Sequence, residues 1–246
     1  MNTYYRGGYR YSFGGSLTPA VKSLIYINAG FFLLQTFTKD KILFIFGLIP
    51  KLVIGELYVW QLFTYQFLHG GLFHILFNML ALWMFGSDLE RRWGSGFFMK
   101  YYFLCAIWAG ISSTAFTPSS MVPIIGASGA VYGILLAYGL LYPDRTILMY
   151  FVFPMKMRYF LILIGGIEFF STISATNAGV AHIAHLGGMI FGYIYLTYFG
   201  KGGGNGIFRN MYLKIRYWWI RRKLKVMVGG KADDIDDSDD RPTYYH

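Results

Sequence analysis

The chain has 246 residues, of which 55% are hydrophobic and only 14% charged, with a formal net charge of +10. Soluble globular domains carry about 25% charged residues, so this balance excludes an ordinary water-soluble fold. Cys105 is the sole cysteine, which rules out an intramolecular disulfide and leaves no basis for a cysteine-rich metal site.

Residues 1–18 form an N-terminal tail rich in Tyr, Gly and Ser, without the apolar core of a cleavable signal peptide. The first span is therefore expected to serve as an uncleaved signal. Apolar stretches of roughly the length that crosses about 30 Å of hydrocarbon predict six membrane helices, at 19–37, 71–88, 97–116, 128–143, 158–175 and 181–199. The fold class expected is all-α, a polytopic six-helix bundle over residues 19–200. Between the first two spans, Ile42 to Leu48 is apolar but too short to cross, so 38–70 is expected to lie in the interface. Met149 to Met157 is interrupted by Pro154 and Lys156 and is read the same way. From 201 onward comes a second tail. Ile207 to Met227 interleaves Arg216, Arg221, Arg222 and Lys223 with Tyr217, Trp218 and Trp219, as a basic amphipathic helix on an anionic leaflet would. Asp233 to Asp240 is an acidic, solvated run.

The lysines and arginines fall unevenly about these spans: nineteen on the side of the two tails, three on the other. Basic loops stay in the cytoplasm, so both termini are expected there. The positive charge is then a matter of topology, and no nucleic-acid partner is implied.

Polar groups inside a bilayer are costly, and those retained point to function. Gly126-Ala127-Ser128-Gly129 with Tyr132 and Gly133 opens the fourth span. A serine there sits among unpaired helix-start N–H groups, where the macrodipole favours negative charge. The same string also suits an N-cap serine with packing glycines. Ala184-His185 followed by Gly188 and Gly192 opens the sixth span, its histidine and glycines on one face. Two helices with bare glycine faces can bring a hydroxyl to an imidazole, the minimum for an activated nucleophile. His74 and Asn78, four residues apart on the second span, share a face and could donate to an oxyanion.

Together these strings, with Trp60, His69 and Glu90-Arg91-Arg92, the last placed in the loop after the second helix with Gly94 and Gly96, resemble the rhomboid family of intramembrane serine proteases over residues 20–199. The resemblance implies Ser128 as nucleophile and His185 as general base and acid. His74, Asn78 and the Ser128 amide would hold the oxyanion, with Tyr132 stacked on His185 and Gly126 and Gly188 allowing close approach. It also implies substrates that are single-pass membrane proteins with helix-breaking residues and a small residue before the cut. A compact core of this kind implies a bacterial inner membrane. No cofactor or metal is expected. A zinc enzyme would need His-Glu-x-x-His, which His182 and His185 do not supply, and an aspartyl enzyme would need two aspartates embedded in the spans, where only Asp88 stands, at the very end of the second. The alternative is a catalytically inactive relative that binds or shuttles membrane clients. A transporter would show internal repeats, and none is found.

Four details remain as expectations. His182 is taken as a polar neighbour facing the outer aqueous side. Glu168, the one carboxylate in the interior of a span, is either a structural tie to a neighbouring helix or a gating residue. With no acid placed near the pair, His185 is expected to be oriented by packing alone. Gln61 stands where the family often has arginine, which leaves the anchoring of the outer loop open.

Overall fold

The computed structural model describes residues 15–38, 40–149, 153–174 and 179–199. Most of residues 1–18 and all of the tail from 201, including its basic and acidic segments, lie outside the described residues. Helix α1 runs Pro19–Thr38, its first position a proline whose missing N–H would have no partner there anyway. Three short helices follow, α2 (Asp40–Phe46), α3 (Pro50–Gly55) and α4 (Gln61–Thr64). The long helices are α5 (Leu72–Trp93), α6 (Ser95–Phe116), α7 (Ser128–Leu141), α8 (Met157–Ser174) and α9 (Gly179–Phe199).

Helix thus occupies every stretch read as a span. Among the described residues, α1, α5 and α8 are long and apolar enough by themselves to cross a membrane. Large apolar side chains point outward in a way no water-soluble protein sustains, as at Ile162 (71% exposed) and Phe170 (68%) on α8.

Three features differ from expectation. Glu90, Arg91 and Arg92 belong to α5, not to a loop: the helix passes through a π segment, Leu82–Gly86, and continues to Trp93. Residues 146–156, read in part as an interfacial stretch, include an antiparallel ribbon, β1 (Thr146–Met149) with β2 (Phe153–Lys156). Pro154 cannot donate within a helix, but a two-stranded ribbon with free edges tolerates it. The outer loop, finally, is anchored by the very residue that departs from the family. Gln61 is buried; its Nε2 donates to the Phe44 carbonyl at 2.9 Å and its Oε1 accepts from the Ile49 amide at 3.0 Å. Trp60 Nε1 adds a bond to the Ile45 carbonyl at 2.8 Å. A neutral amide with one donor and one acceptor closes this loop without a guanidinium.

The core lies around α6 and α7, where alanines alternate with buried rings. Ala106, Ala109, Ala130 and Ala137 pack beside Phe98, Tyr101 and Tyr102, all inaccessible to solvent. Two buried hydroxyls find backbone carbonyls: Tyr101 donates to Gly133 at 2.7 Å and Tyr65 to Ala106 at 2.6 Å. Cys105 is packing, as expected, wedged where a side chain on Gly133 would meet its sulfur at 2.7 Å. Small residues let these helices approach as closely as an apolar solvent requires, because lipid supplies no hydrophobic force between them.

Candidate active site

The strand-like pairing of Leu48 with Ile124 (3.0 and 2.8 Å) and a bond from the Gly126 amide to the Tyr65 carbonyl (3.0 Å) hold the outer loop just before α7. Gly126 then turns with φ +121°, a conformation that disfavours any side chain. A Cβ there would also come within 2.8 Å of His74 Nε2. Ala127 occupies the cap position, so Ser128 is the first helical residue. Its hydroxyl is therefore not an N-cap. Oγ instead lies 2.8 Å from His185 Nε2.

That meeting depends on glycine. A Cβ on Gly188 would be driven into the carbonyl oxygen of Gly129, and one on Gly133 would stand 3.3 Å from the Gly188 carbonyl. Backbone touches backbone where α7 and α9 pass. Gly192, further along α9, faces α6 through Tyr101. Tyr132, one turn after Ser128, lies flat on the His185 ring, with centroids 4.2 Å apart and planes 7° from parallel.

On α5, the Gly70 amide donates to His74 Nδ1 at 3.2 Å. A neutral imidazole that accepts at one nitrogen carries its proton on the other. His74 Nε2–H is thus a donor, on the nitrogen nearest Gly126. The loop before it is held by Gln35 of α1, which takes the His69 amide (3.1 Å) and gives to the His69 carbonyl (2.8 Å). Asn78 is differently placed. Its amide nitrogen donates back to the His74 carbonyl at 3.0 Å, within its own helix, and not to Ser128.

An acid stands beside the pair after all. Glu168 Oε1 accepts from the Tyr132 hydroxyl, and Oε2 lies 2.6 Å from His182 Nδ1. The same Oε2 is 3.1 Å from His185 Nδ1, close in distance but out of line for a well-formed hydrogen bond. An acid thus stands next to His185 in addition to the stacked Tyr132 ring, and His182 turns its Nδ1 toward the same carboxylate. The pairing follows from antiparallel helices: Glu168 is six residues before the end of α8 and His185 six after the start of α9, so they stand at one height. The sequence held that signal, since an acid within the membrane requires a partner and the next span brings two histidines.

One ligand atom each from Glu168, His182 and His185 falls within 4.8 Å of the others, a set that a divalent ion could use. Bonds of about 2.0–2.1 Å in a tetrahedral zinc site hold ligand atoms roughly 3.3 Å apart. The 2.6 Å separation of Glu168 from His182 is a hydrogen-bond length. As closed here, the cluster is bonded to itself.

Residues 56–202 match the model of the rhomboid domain. The chain belongs to the rhomboid family. It is 35% identical over 186 residues to the rhomboid protease GluP of Bacillus subtilis, a match covering 74% of this chain and 34% of that protein. It is 33% identical to the mitochondrial rhomboid protein 1 of Saccharomyces cerevisiae (55% of this chain, 40% of that one). With the rhomboid protease GlpG of Yersinia pestis it shares 24% identity (78% and 66%). The chain thus spans about a third of the first relative's length and two fifths of the second's. The rhomboid match contains His74, Asn78, Ser128, Tyr132, Glu168 and His185, but not α1, whose Gln35 fastens the His69 loop. Membership, together with apolar helices, makes this an integral membrane protein of an intramembrane-protease family.

Proposed function

We propose that the chain is an active intramembrane serine endopeptidase, with Ser128 as nucleophile and His185 as general base and acid. The 2.8 Å contact between Ser128 Oγ and His185 Nε2 carries this reading. An inactive relative has no use for a hydroxyl aligned on an imidazole across a glycine seam that tolerates no other residue.

His185 Nε2 takes the hydroxyl proton as Oγ attacks the scissile carbonyl carbon. The resulting oxyanion is met by the Ser128 amide at the start of α7 and by His74 Nε2–H. Asn78 joins them once its amide swings away from the His74 carbonyl. The intermediate collapses, His185 returns the proton to the leaving amine, and an acyl-enzyme remains. Water then attacks, giving a proton to His185, which passes it to Ser128 Oγ as the C–Oγ bond breaks and a carboxylic acid departs.

Substrates are transmembrane segments of single-pass proteins, entering between α5 and α8. Both helices turn large apolar side chains outward, including Phe73 and Phe77 on α5 and Ile167 and Phe170 on α8. A 14-residue α7 is about 21 Å long, roughly 9 Å short of the hydrocarbon thickness. With Leu141 at the inner face, near Asp88 and Arg145, Ser128 lies below the outer surface. Six spans and both termini in the cytoplasm agree with the sidedness of Lys and Arg; the membrane would be the inner membrane of a bacterium.

The test is cleavage of a fluorogenic transmembrane peptide in liposomes, with fluorophosphonate labelling alongside. Ser128→Ala and His185→Ala should each abolish cleavage, and Ser128→Ala should abolish labelling. Cleavage persisting without Ser128 removes the assignment.

A further inference from the structure

We propose that Glu168 is a positioning residue for His185, so that the working unit is a serine–histidine–glutamate line and not an isolated pair. The inference rests on the protease reading given above. Three observations carry it. Glu168 is 4% exposed and sits at the height of His185 on the adjoining helix. Its Oε2 approaches His185 Nδ1 to 3.1 Å, on the opposite side of the ring from Ser128. Its other contacts, Tyr132 on Oε1 and His182 on Oε2, fix the carboxylate in place.

The chemistry follows from the tautomer. A carboxylate only accepts, so Oε2 at 3.1 Å, although out of line for a well-formed bond, favours a proton on His185 Nδ1. With hydrogen on His185 Nδ1, Nε2 is bare, the form that can take a proton from Ser128. The opposite tautomer would point an N–H at the hydroxyl and could not act as base. When Nε2 is protonated during attack, the ring becomes positive with Glu168 beside it. The acid stays ionised throughout and takes no proton.

Tyr132 joins this device to the nucleophile's helix. Its ring lies on His185 while its hydroxyl donates to Glu168, so one side chain of α7 holds both base and acid. His182 shares Oε2 with His185.

The experiment compares Glu168→Gln and Glu168→Asp with the parent and Ser128→Ala, using a fluorogenic transmembrane peptide in liposomes. Glutamine preserves shape and the bond from Tyr132 but turns an NH2 donor toward His185 Nδ1, which favours the unproductive tautomer. For Glu168→Gln, kcat should fall at least about tenfold, within the ~10²–10⁴-fold that general acid–base help is worth. KM should stay within about twofold, and Glu168→Asp should recover part of the loss. A mere tie between helices predicts instead unchanged kcat in whatever protein folds. Glu168→Gln at parental kcat, with Ser128→Ala inactive, overturns this proposal alone; cleavage by Ser128→Ala overturns the protease reading beneath it. If Glu168→Gln does not fold, ring ¹⁵N shifts of the histidine-labelled parent decide, with His185 assigned by its response to fluorophosphonate. A proton on Nδ1 supports the proposal, and one on Nε2 overturns it.

Discussion

Two glutamates are buried in this apolar bundle, and they differ in what surrounds them. Glu90, 3% exposed, accepts from the Thr18 hydroxyl, the Ala20 and Val21 amides (2.9 Å each) and the Ser95 hydroxyl (2.6 Å). Its donors are backbone amides at the start of α1 and hydroxyls, none of which changes protonation in water's ordinary range. A carboxylate there satisfies orphan N–H groups and meets the positive end of a helix dipole. Glu168, equally buried, is surrounded by a phenol and two imidazoles. The same side chain is a staple against the start of α1 in one place and lies beside two imidazoles in the other. Burial alone does not tell a structural acid from a chemical one. The chemistry of its donors does.

Substitutions can break this contrast, and the largest effect is expected at the glycine seam that the second site requires. Gly188→Ala places a methyl in the Gly129 carbonyl. Backbone cannot yield cheaply, so about 3 kcal/mol of stability should be lost. Separating Ser128 from His185 by about 1 Å should cost a further ~10² in rate. Thermal unfolding in detergent and liposome cleavage read the two effects separately. Next comes Glu90→Ala, which leaves two buried amides without acceptors and should lower stability by about 2–4 kcal/mol. Its kcat per folded molecule should stay within about twofold of the parent; a specific loss of kcat would erase the distinction between the glutamates. His74→Ala should do the reverse, lowering kcat about a hundredfold while leaving the melting temperature within a few degrees.

The smallest effect concerns pH. Burial, with His74 beside it, pushes the His69 imidazole down to about 4 from its usual 6.5. Unfolded protein therefore takes up a proton below pH 6.5 that the folded protein refuses until about pH 4. Stability from this group is complete above pH 6.5 and is lost as pH falls through that window, by about 1 kcal/mol per unit. Denaturant titrations at pH 7, 6 and 5 should show this slope, and His69→Phe should flatten it.

Much of the architecture was legible in the sequence because lipid imposes a simple rule. Backbone in hydrocarbon must be helical, so apolar length marks the helices and their ends fall within a few residues of those found. The errors arose where water or other protein replaces lipid. Charge marks the end of a span, which puts Glu90 in a loop on sequence alone, yet α5 continues to Trp93 with Glu90 buried. A proline and a lysine break a helix without announcing what replaces it, so the pairing of Thr146–Met149 with Phe153–Lys156 has no signature in the sequence. Gln61 departs from the family pattern, yet its two bonds to the Phe44–Ile49 segment anchor the loop through a neutral amide.

What the sequence by itself determined was a membrane bundle with a serine and a histidine on glycine faces, since small residues and intramembrane polar groups are visible one at a time. Only the tertiary structure decided what lies behind the histidine. Glu168 is fourteen and seventeen residues from His182 and His185, and nothing in composition or spacing within one helix links them. The link is the equal height of residues on antiparallel helices, a property of two elements packed together and of neither alone.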